Sequence, residues 1–499
     1  MRRFPYNLCR REAAEWMINM AVLSNLEPKQ VFDWFERLCA IPHGSFHTKA
    51  ISDYLVQFAR ERGLAYRQDE SNNVVIRKAA TPGYENAPTV MIQGHMDMVC
   101  EKEPDCAKDM EAEGLDLFID GDLVGAKGTT LGGDDGIAVA MGLAVLDAND
   151  IPHGPLECVF TVDEEVGMIG VRALDTSDLK AKYLLNIDSE EEGVLMVSCA
   201  GACRMVCTLP TVRKAFDGAT LCVKVAGLVG GHSGEEIHKG RANSNILMGR
   251  VLYEMSKVCD LRLVSAIGGA KDNAIPRETT AVISAGDAQA LKELAAKLTC
   301  ELQKEYETAD SGITVTVSEA SETMLPMNLE STEKVITLLH CAPNGVMEMS
   351  MDVPGLVQTS LNLGRLYGDE NELHASFMVR SSVNSQKDAV ASRLALLTKL
   401  LGGTTEQPSS YSAWQYRADS PLRDLMAEVF REQYGHEPRI AALHGGLECG
   451  ILSGKMPELD CVSLGPDLTD IHTPRERLHI ESTQRTWKLV LETLKRLKA

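Results

Sequence analysis

Four clusters of acids and histidine between Gly94 and Asp188 constrain this chain more than any other feature. They are GHMD (Gly94–Asp97), GGDD (Gly132–Asp135), DEE (Asp163–Glu165) and NID (Asn186–Asp188). Three of them directly follow strand-like apolar runs: VMI (Val90–Ile92), CVFTV (Cys158–Val162) and YLLNI (Tyr183–Ile187). In an open parallel sheet, ligands bind in the crevice at the carboxyl ends of the strands. Side chains placed at several such ends therefore converge on one place.

Each cluster has an ordinary reading by itself. His95 and Asp97, at i and i+2, face the same way in an extended segment, but H-x-D alone is more often a capped loop histidine beside a turn aspartate. Asp134 and Asp135 precede an apolar helix and would cap it; capping accounts for one of them better than for both. The acids Asp163–Glu165 repel one another unless solvated or held by cations, so a solvated turn and a metal site explain them equally well. Asp188 precedes Glu190, Glu191 and Glu192, and a charged turn is again the plain account. Capping and solvation do not account for all four together, and a divalent-metal site does.

The remaining chain reads as an α/β protein with an insertion. Helices are expected over Leu26–Arg37, Lys49–Gly63 and Gly136–Asp147, with a hairpin over Leu64–Lys78 turning at Glu70–Asn73. Cys100–Thr130 reads as a polar, irregular loop. From about Ala200 the pattern changes to strands mixed with helices, including Thr279–Ser284, Ala288–Glu307, Glu372–Val379 and Gln386–Leu401. The polar stretch GGTTEQPSS after Leu401 marks a return to the first pattern, which ends in an amphipathic helix over Ser482–Leu497. The expected organisation is an N-terminal extension (1–25), a catalytic domain in two parts (26–205 and 401–499) and an α+β domain between them (206–400). The fold class is α/β: a mixed, largely parallel sheet with flanking helices, interrupted by that α+β domain. At 499 residues, more than one domain is the expectation.

Composition narrows the function. The net charge is -21 and no Lys/Arg-rich run occurs, which disfavours nucleic acid and anionic membrane as partners. No apolar run approaches the ~20 residues of a membrane span. The 14 cysteines are dispersed without paired C-x-x-C spacing, as in a reducing compartment, and zinc–thiolate sites are not expected. A cytoplasmic location follows. The first residues, MRRFPYNLCRREAAEWMINMAVL, lack the three-part pattern of a secretory signal, and Met17 and Met20 are alternative starts.

In order and spacing, GHMDMV, LGGDDGIAVA, TVDEEVGMIG, NIDSEEEG, GGHSGEEIHKGRAN, HGGLECG and the IHTP segment resemble the aminoacyl-histidine dipeptidase family. The resemblance runs from about Leu26 to the C-terminus. It implies a cytosolic enzyme of the co-catalytic di-zinc metallopeptidase kind, cleaving dipeptides with broad specificity that includes Xaa-His and carnosine-like substrates. It implies His95 and Asp188 on one metal, Glu165 and His472 on the other, and Asp134 bridging both. The ions are two divalent metals, Zn2+ first, with Mn2+ or Co2+ as alternatives. Glu164 becomes the general base toward the water between the metals, and Asp97 orients His95 through its other ring nitrogen. The Asp134–Asp135 peptide is cis in such enzymes.

The middle domain resembles the family's lid, with His232 stabilising the oxyanion. Asn245 and Arg380 resemble groups that hold the substrate carboxylate, and His444 and Glu448 groups near its amino end. A capping or supporting role serves Glu448 equally well. Lid domains in related enzymes often dimerise, so a homodimer is an expectation. The alternatives are a related metallohydrolase acting on tripeptides, N-acyl amino acids or carbamoyl compounds, and a metal-free binding protein on the same fold.

Overall fold

A computed structural model describes residues 22–498, which divide into two compact units. The first holds 22–197, 417–441 and 451–498; the second holds 198–416 and 442–450. Most of the expected N-terminal extension, residues 1–21, lies outside the described residues. Its end does not: Leu23 is fully buried, and the amides of Val22 and Leu23 donate to the Glu36 carboxylate. No helix among the described residues is long and apolar enough to cross a membrane. The described cysteines are all free.

The first unit is built on an eight-stranded mixed sheet. Its order is 65–68, 74–78, 156–161, 90–95, 183–186, 460–463, 194–199 and 439–443. The four middle strands, Leu156–Thr161, Val90–His95, Tyr183–Asn186 and Asp460–Ser463, run parallel. Every residue of all four is buried. That explains why they read as continuous apolar runs rather than alternating ones. Because they are parallel and adjacent, His95, the acids after Thr161 and Asp188 leave the sheet at the same edge.

The helix Gly133–Asp147 lies against this sheet and is buried almost all round, as its run of residues without a polar side chain from Gly136 to Leu146 requires. Its close approach depends on Gly94, where a Cβ would fall 2.5 Å from both the Ala138 Cβ and Asp135 Oδ2. Cys100–Thr130 is not wholly irregular. Strands Leu117–Asp120 and Leu123–Ala126 form a hairpin and join Arg477–His479 and Leu468–Thr469 in a four-stranded sheet. The two-residue Gly121–Asp122 turn, with Gly121 at φ 61°, is the hairpin signal in that stretch.

The second unit is an α+β body on a nine-stranded antiparallel sheet, with helices including Ser244–Ser256, Ala288–Glu305, Leu329–Cys341 and Asn384–Leu400. Its boundaries differ from the sequence expectation of 206–400. The strand Gly201–Pro210 pairs along its length with Glu372–Ser381, so the unit starts before residue 206. The polar stretch after Leu401 forms the strand Thr404–Tyr411, paired on the other side of Gly201–Pro210, which carries the unit to Tyr416. The segment 442–450, containing HGGLECG, also belongs to this unit and not to the resumed first domain.

Candidate metal centre

His95 ends the strand Val90–His95 and is buried. Its backbone N–H donates to Asp135 Oδ2 (3.2 Å), and its ring Nδ1 lies 2.9 Å from the Asp97 carbonyl oxygen. An Nδ1–H donated to a carbonyl leaves Nε2 with a free lone pair. That nitrogen faces Asp134 Oδ1 at 3.1 Å and Asp188 Oδ1 at 3.6 Å.

Asp134 turns its two oxygens to different partners. Oδ1 meets His95, and Oδ2 lies 3.1 Å from His472 Nε2. His472 Nε2 is in turn 3.0 Å from Glu165 Oε2. The peptide between Asp134 and Asp135 is cis, and neither residue has helical angles although both fall within the helix span. His472 sits between the short strands Leu468–Thr469 and Arg477–His479, with φ 59°.

Two ligands of one tetrahedral ion, each at about 2.0–2.1 Å from it, stand ~3.3 Å apart. The four separations within these sets, 3.0 to 3.6 Å, fit that spacing. Donor atoms of His95, Asp134 and Glu165, and of His95, Asp135 and Asp188, also lie within 4.8 Å of one another. The donors are carboxylate and imidazole without thiolate, a set that suits Zn, Mn or Co.

The electrostatics of these acids favour positive charge among them. Burial pushes the carboxyls of Asp135, Asp188 and Glu165 above their ordinary range. Burial would also raise Asp134, but hydrogen bonds with His472 and His95 outweigh it and hold that carboxyl low. The His472 imidazole, between Asp134 and Glu165, is pushed up to about 10. His95 is raised as well; burial opposes its protonation, and Asp134, Asp188 and Asp97 overcome that. The acids around both imidazoles thus favour positive charge between them. Divalent cations between the same atoms would supply it.

Asp97 is placed somewhat differently from the sequence expectation. Its carboxylate is 3.5 Å from His95 Nδ1, farther than its own carbonyl. The closer carboxylate contacts are with Ser45 Oγ (2.9 Å) and the Glu164 N–H (3.0 Å), with the Glu165 N–H at 3.4 Å. Asp97 therefore holds the Asp163–Glu165 turn. The turn is held from its other side by the Phe46 N–H, which donates to Asp163 Oδ1 at 2.6 Å. Glu164, partly buried, stands on this turn next to Glu165.

Glu476 had no role in the sequence reading. Its carboxylate is buried and accepts the amides of Leu131, Gly132, Gly133 and Asp134. An acid four residues beyond the histidine of IHTP was the available signal.

The other residues singled out from sequence lie in the second unit. His232 Nδ1 accepts the Glu235 N–H at 3.2 Å, so the ring's proton is on Nε2. Burial and the Arg380 charge hold this imidazole below its usual pKa. Arg380 is 6% exposed; Nη1 reaches the Tyr411 hydroxyl at 3.4 Å, and Nε has no hydrogen-bond partner. His444 Nε2 meets Ser360 Oγ at 2.7 Å, while Nδ1 is unpartnered. Burial and then Arg380 lower the His444 pKa to about 3. The three residues surround Gly234, where a Cβ would lie 3.1 Å from His232 Cε1, 3.3 Å from Arg380 Nε and 2.8 Å from the His444 carbonyl oxygen. Asn245 is apart from them. It is fully buried, and its carboxamide is taken up by Thr279 Oγ1 (2.7 Å) and the Leu363 carbonyl (3.2 Å), which makes it a support of the sheet. Glu448 is fully buried at the start of the helix Glu448–Lys455.

Comparison with known proteins places these residues in context. Residues 91–496 match the model of peptidase family M20/M25/M40. The chain is 39% identical over 484 residues to the cytosol non-specific dipeptidase of Escherichia coli (strain K12), covering 96% of this chain and 100% of that protein. It is similar to the crystal structure of aminoacylhistidine dipeptidase from Vibrio alginolyticus, with a TM-score of 0.88, 38% identity, and coverage of 95% of this chain and 98% of that one. Aminopeptidase PepT from Bacillus cereus ATCC 10987 shares the fold, with a TM-score of 0.54 at 16% identity over 95% of this chain and 99% of that one.

Proposed function

The chain belongs to peptidase family M20/M25/M40, and on that premise we propose that it is a di-metal dipeptidase of broad specificity, with Xaa-His and carnosine-like dipeptides among its substrates. The chain is a peptide-bond hydrolase with named dipeptidases among its relatives. The observation that carries the finer reading is the Asp134 carboxylate, one oxygen toward His95 and the other toward His472.

His95, Asp134 and Asp188 would hold one ion, and Asp134, Glu165 and His472 the other. Divalent ions there, Zn2+ by preference with Mn2+ or Co2+ as alternatives, supply Lewis acidity that polarises the scissile carbonyl and lowers the pKa of water. The carboxylate of Glu164 takes a proton from the attacking water as its oxygen bonds to the carbonyl carbon. It returns that proton to the amide nitrogen as the C–N bond breaks. Asp97 keeps Glu164 in place through its backbone amide. His232 retains its Nε2 proton and can donate it to the developing oxyanion. Arg380, whose buried Nε is unpartnered, suits the free carboxylate of a dipeptide.

A cytosolic location is supported by likeness to the Escherichia coli protein, whose name places it there. The test is a substrate panel of dipeptides, tripeptides and N-acetyl amino acids, with metal content measured on the same preparation. Preferred cleavage of dipeptides by metal-loaded protein is expected. Preferred cleavage of tripeptides or N-acetyl amino acids would replace this reading with that of a related metallohydrolase.

A further inference from the structure

We propose that Glu476 is a positioning residue of the metal centre, fixing the loop that presents Asp134 to both ions. This rests on the reading of Asp134 as the bridging ligand.

Four consecutive amides converge on the Glu476 carboxylate. Oε2 accepts from Leu131 (2.8 Å) and Gly132 (3.1 Å), and Oε1 from Gly133 (2.8 Å) and Asp134 (3.4 Å). Three of them, Gly132, Gly133 and Asp134, are amides that the start of the helix Gly133–Asp147 leaves without partners inside the helix, and Leu131 lies just before its N-cap. An N-terminal Asp ordinarily satisfies such groups with its own side chain. Here the N-cap is Gly132, at φ 68° and without a side chain. Both nearby acids are turned elsewhere: Asp134 toward His95 and His472, and Asp135 toward the His95 amide. Glu476 does the capping from 342 to 345 residues away and so leaves Asp134 free to act as a ligand.

The same carboxylate joins the two chain segments that meet at one ion. Glu476 lies four residues after His472, on the connection between strands Leu468–Thr469 and Arg477–His479. Hydrogen bonds from the Glu476 N–H to the Thr473 carbonyl and from Thr473 Oγ1 to the Asp470 carbonyl shape that connection. The distance between Asp134 Oδ2 and His472 Nε2 thus depends on where Glu476 holds the Leu131–Asp134 loop.

The experiment is a Zn2+ titration of chelator-stripped protein by competition with a chromophoric chelator, without substrate, on wild type, Glu476→Gln and Glu157→Gln. In either orientation, a Gln amide NH2 faces two backbone N–H groups. The control carboxylate, Glu157, is also buried and accepts the Lys180 and Ala181 amides, but it lies at the far end of the strand Leu156–Thr161 from the Asp163–Glu165 turn. Glu476→Gln is expected to weaken both ions by roughly 10–100-fold, and Glu157→Gln to leave both unchanged even where it lowers the melting temperature. Wild-type affinity for both ions in Glu476→Gln, or an equal loss in Glu157→Gln, would overturn the proposal. If Glu476→Gln does not fold, Glu476→Asp, which keeps both acceptor oxygens one methylene short, should weaken both ions in the same direction; unchanged affinity would overturn the role. Because no substrate is present, loss of both ions in the variant upholds this role even if the dipeptide panel fails. A wild-type chain that holds fewer than two ions removes the reading on which it rests.

Discussion

Asp97 Oδ1 accepts the backbone N–H of Glu164 at 3.0 Å, so the residue two positions after His95, the first proposed ligand, holds the turn that carries the proposed base. Asp97→Ala leaves the amides of Glu164 and Glu165 without this acceptor in a partly buried place. We expect kcat to fall by roughly 10–100-fold, together with weaker retention of the ion on the Glu165 side. Steady-state kinetics and metal analysis of the same sample check this. An unchanged kcat at full metal loading would remove Asp97 from this role.

Glu164 stands beside Glu165, a proposed ligand, but is assigned proton transfer. Glu164→Gln should keep wild-type metal content while turnover falls by about 10²–10⁴. Parallel loss of metal and activity would instead place Glu164 among the ligands.

The buried Arg380 is assigned to the substrate carboxylate. Arg380→Ala should lower kcat/KM for dipeptides with a free C-terminus by about 10–100-fold, the range of a charge-assisted hydrogen bond. Cleavage of the matching dipeptide amides should change far less. Equal losses on acids and amides would show that Arg380 acts on the fold rather than on the carboxylate.

His444 sets a pH dependence in the second unit. Its folded pKa is lowered to about 3 by burial and then Arg380, from an ordinary value of 6.5. The fold therefore favours the neutral ring. The stabilisation is complete above pH 6.5 and is lost as the pH falls from there toward 3, because the unfolded chain takes up the proton first. At pH 5 the loss is about 2 kcal/mol. Melting of wild type should thus shift more between pH 7 and pH 5 than melting of His444→Gln, which has no proton to take up. Equal shifts would count against a neutral, buried His444.

The candidate ligands of the first unit stood out in the sequence because of where they sit. Buried parallel strands must be apolar throughout, so VMI, CVFTV and YLLNI stood out, and the acids after them could only leave at one edge of the sheet. Other parts lacked such a signal. The strands Leu468–Thr469 and Arg477–His479, which frame His472, are too short for any periodicity. Thr404–Tyr411 is a mostly exposed strand at one end of its sheet order, with a polar sequence containing Pro408, so it read as a linker. Asn245 sits in a polar motif, yet its partners Thr279 and Leu363 come from distant strands that no local pattern reveals. Glu476 was hidden for the same reason: it caps a helix whose sequence position is more than 300 residues earlier.

The central claim is that Asp134 joins two ions, and metal content per chain tests it most directly. Wild type and Asp134→Ala would be loaded with Zn2+, freed of unbound metal and analysed by plasma mass spectrometry, with dipeptide turnover measured on the same samples. Two ions per wild-type chain are predicted, with both ions and turnover lost together in the variant. An Asp134→Ala chain that keeps two ions, or a wild-type chain that cleaves dipeptides at full rate after exhaustive chelation, would contradict the account.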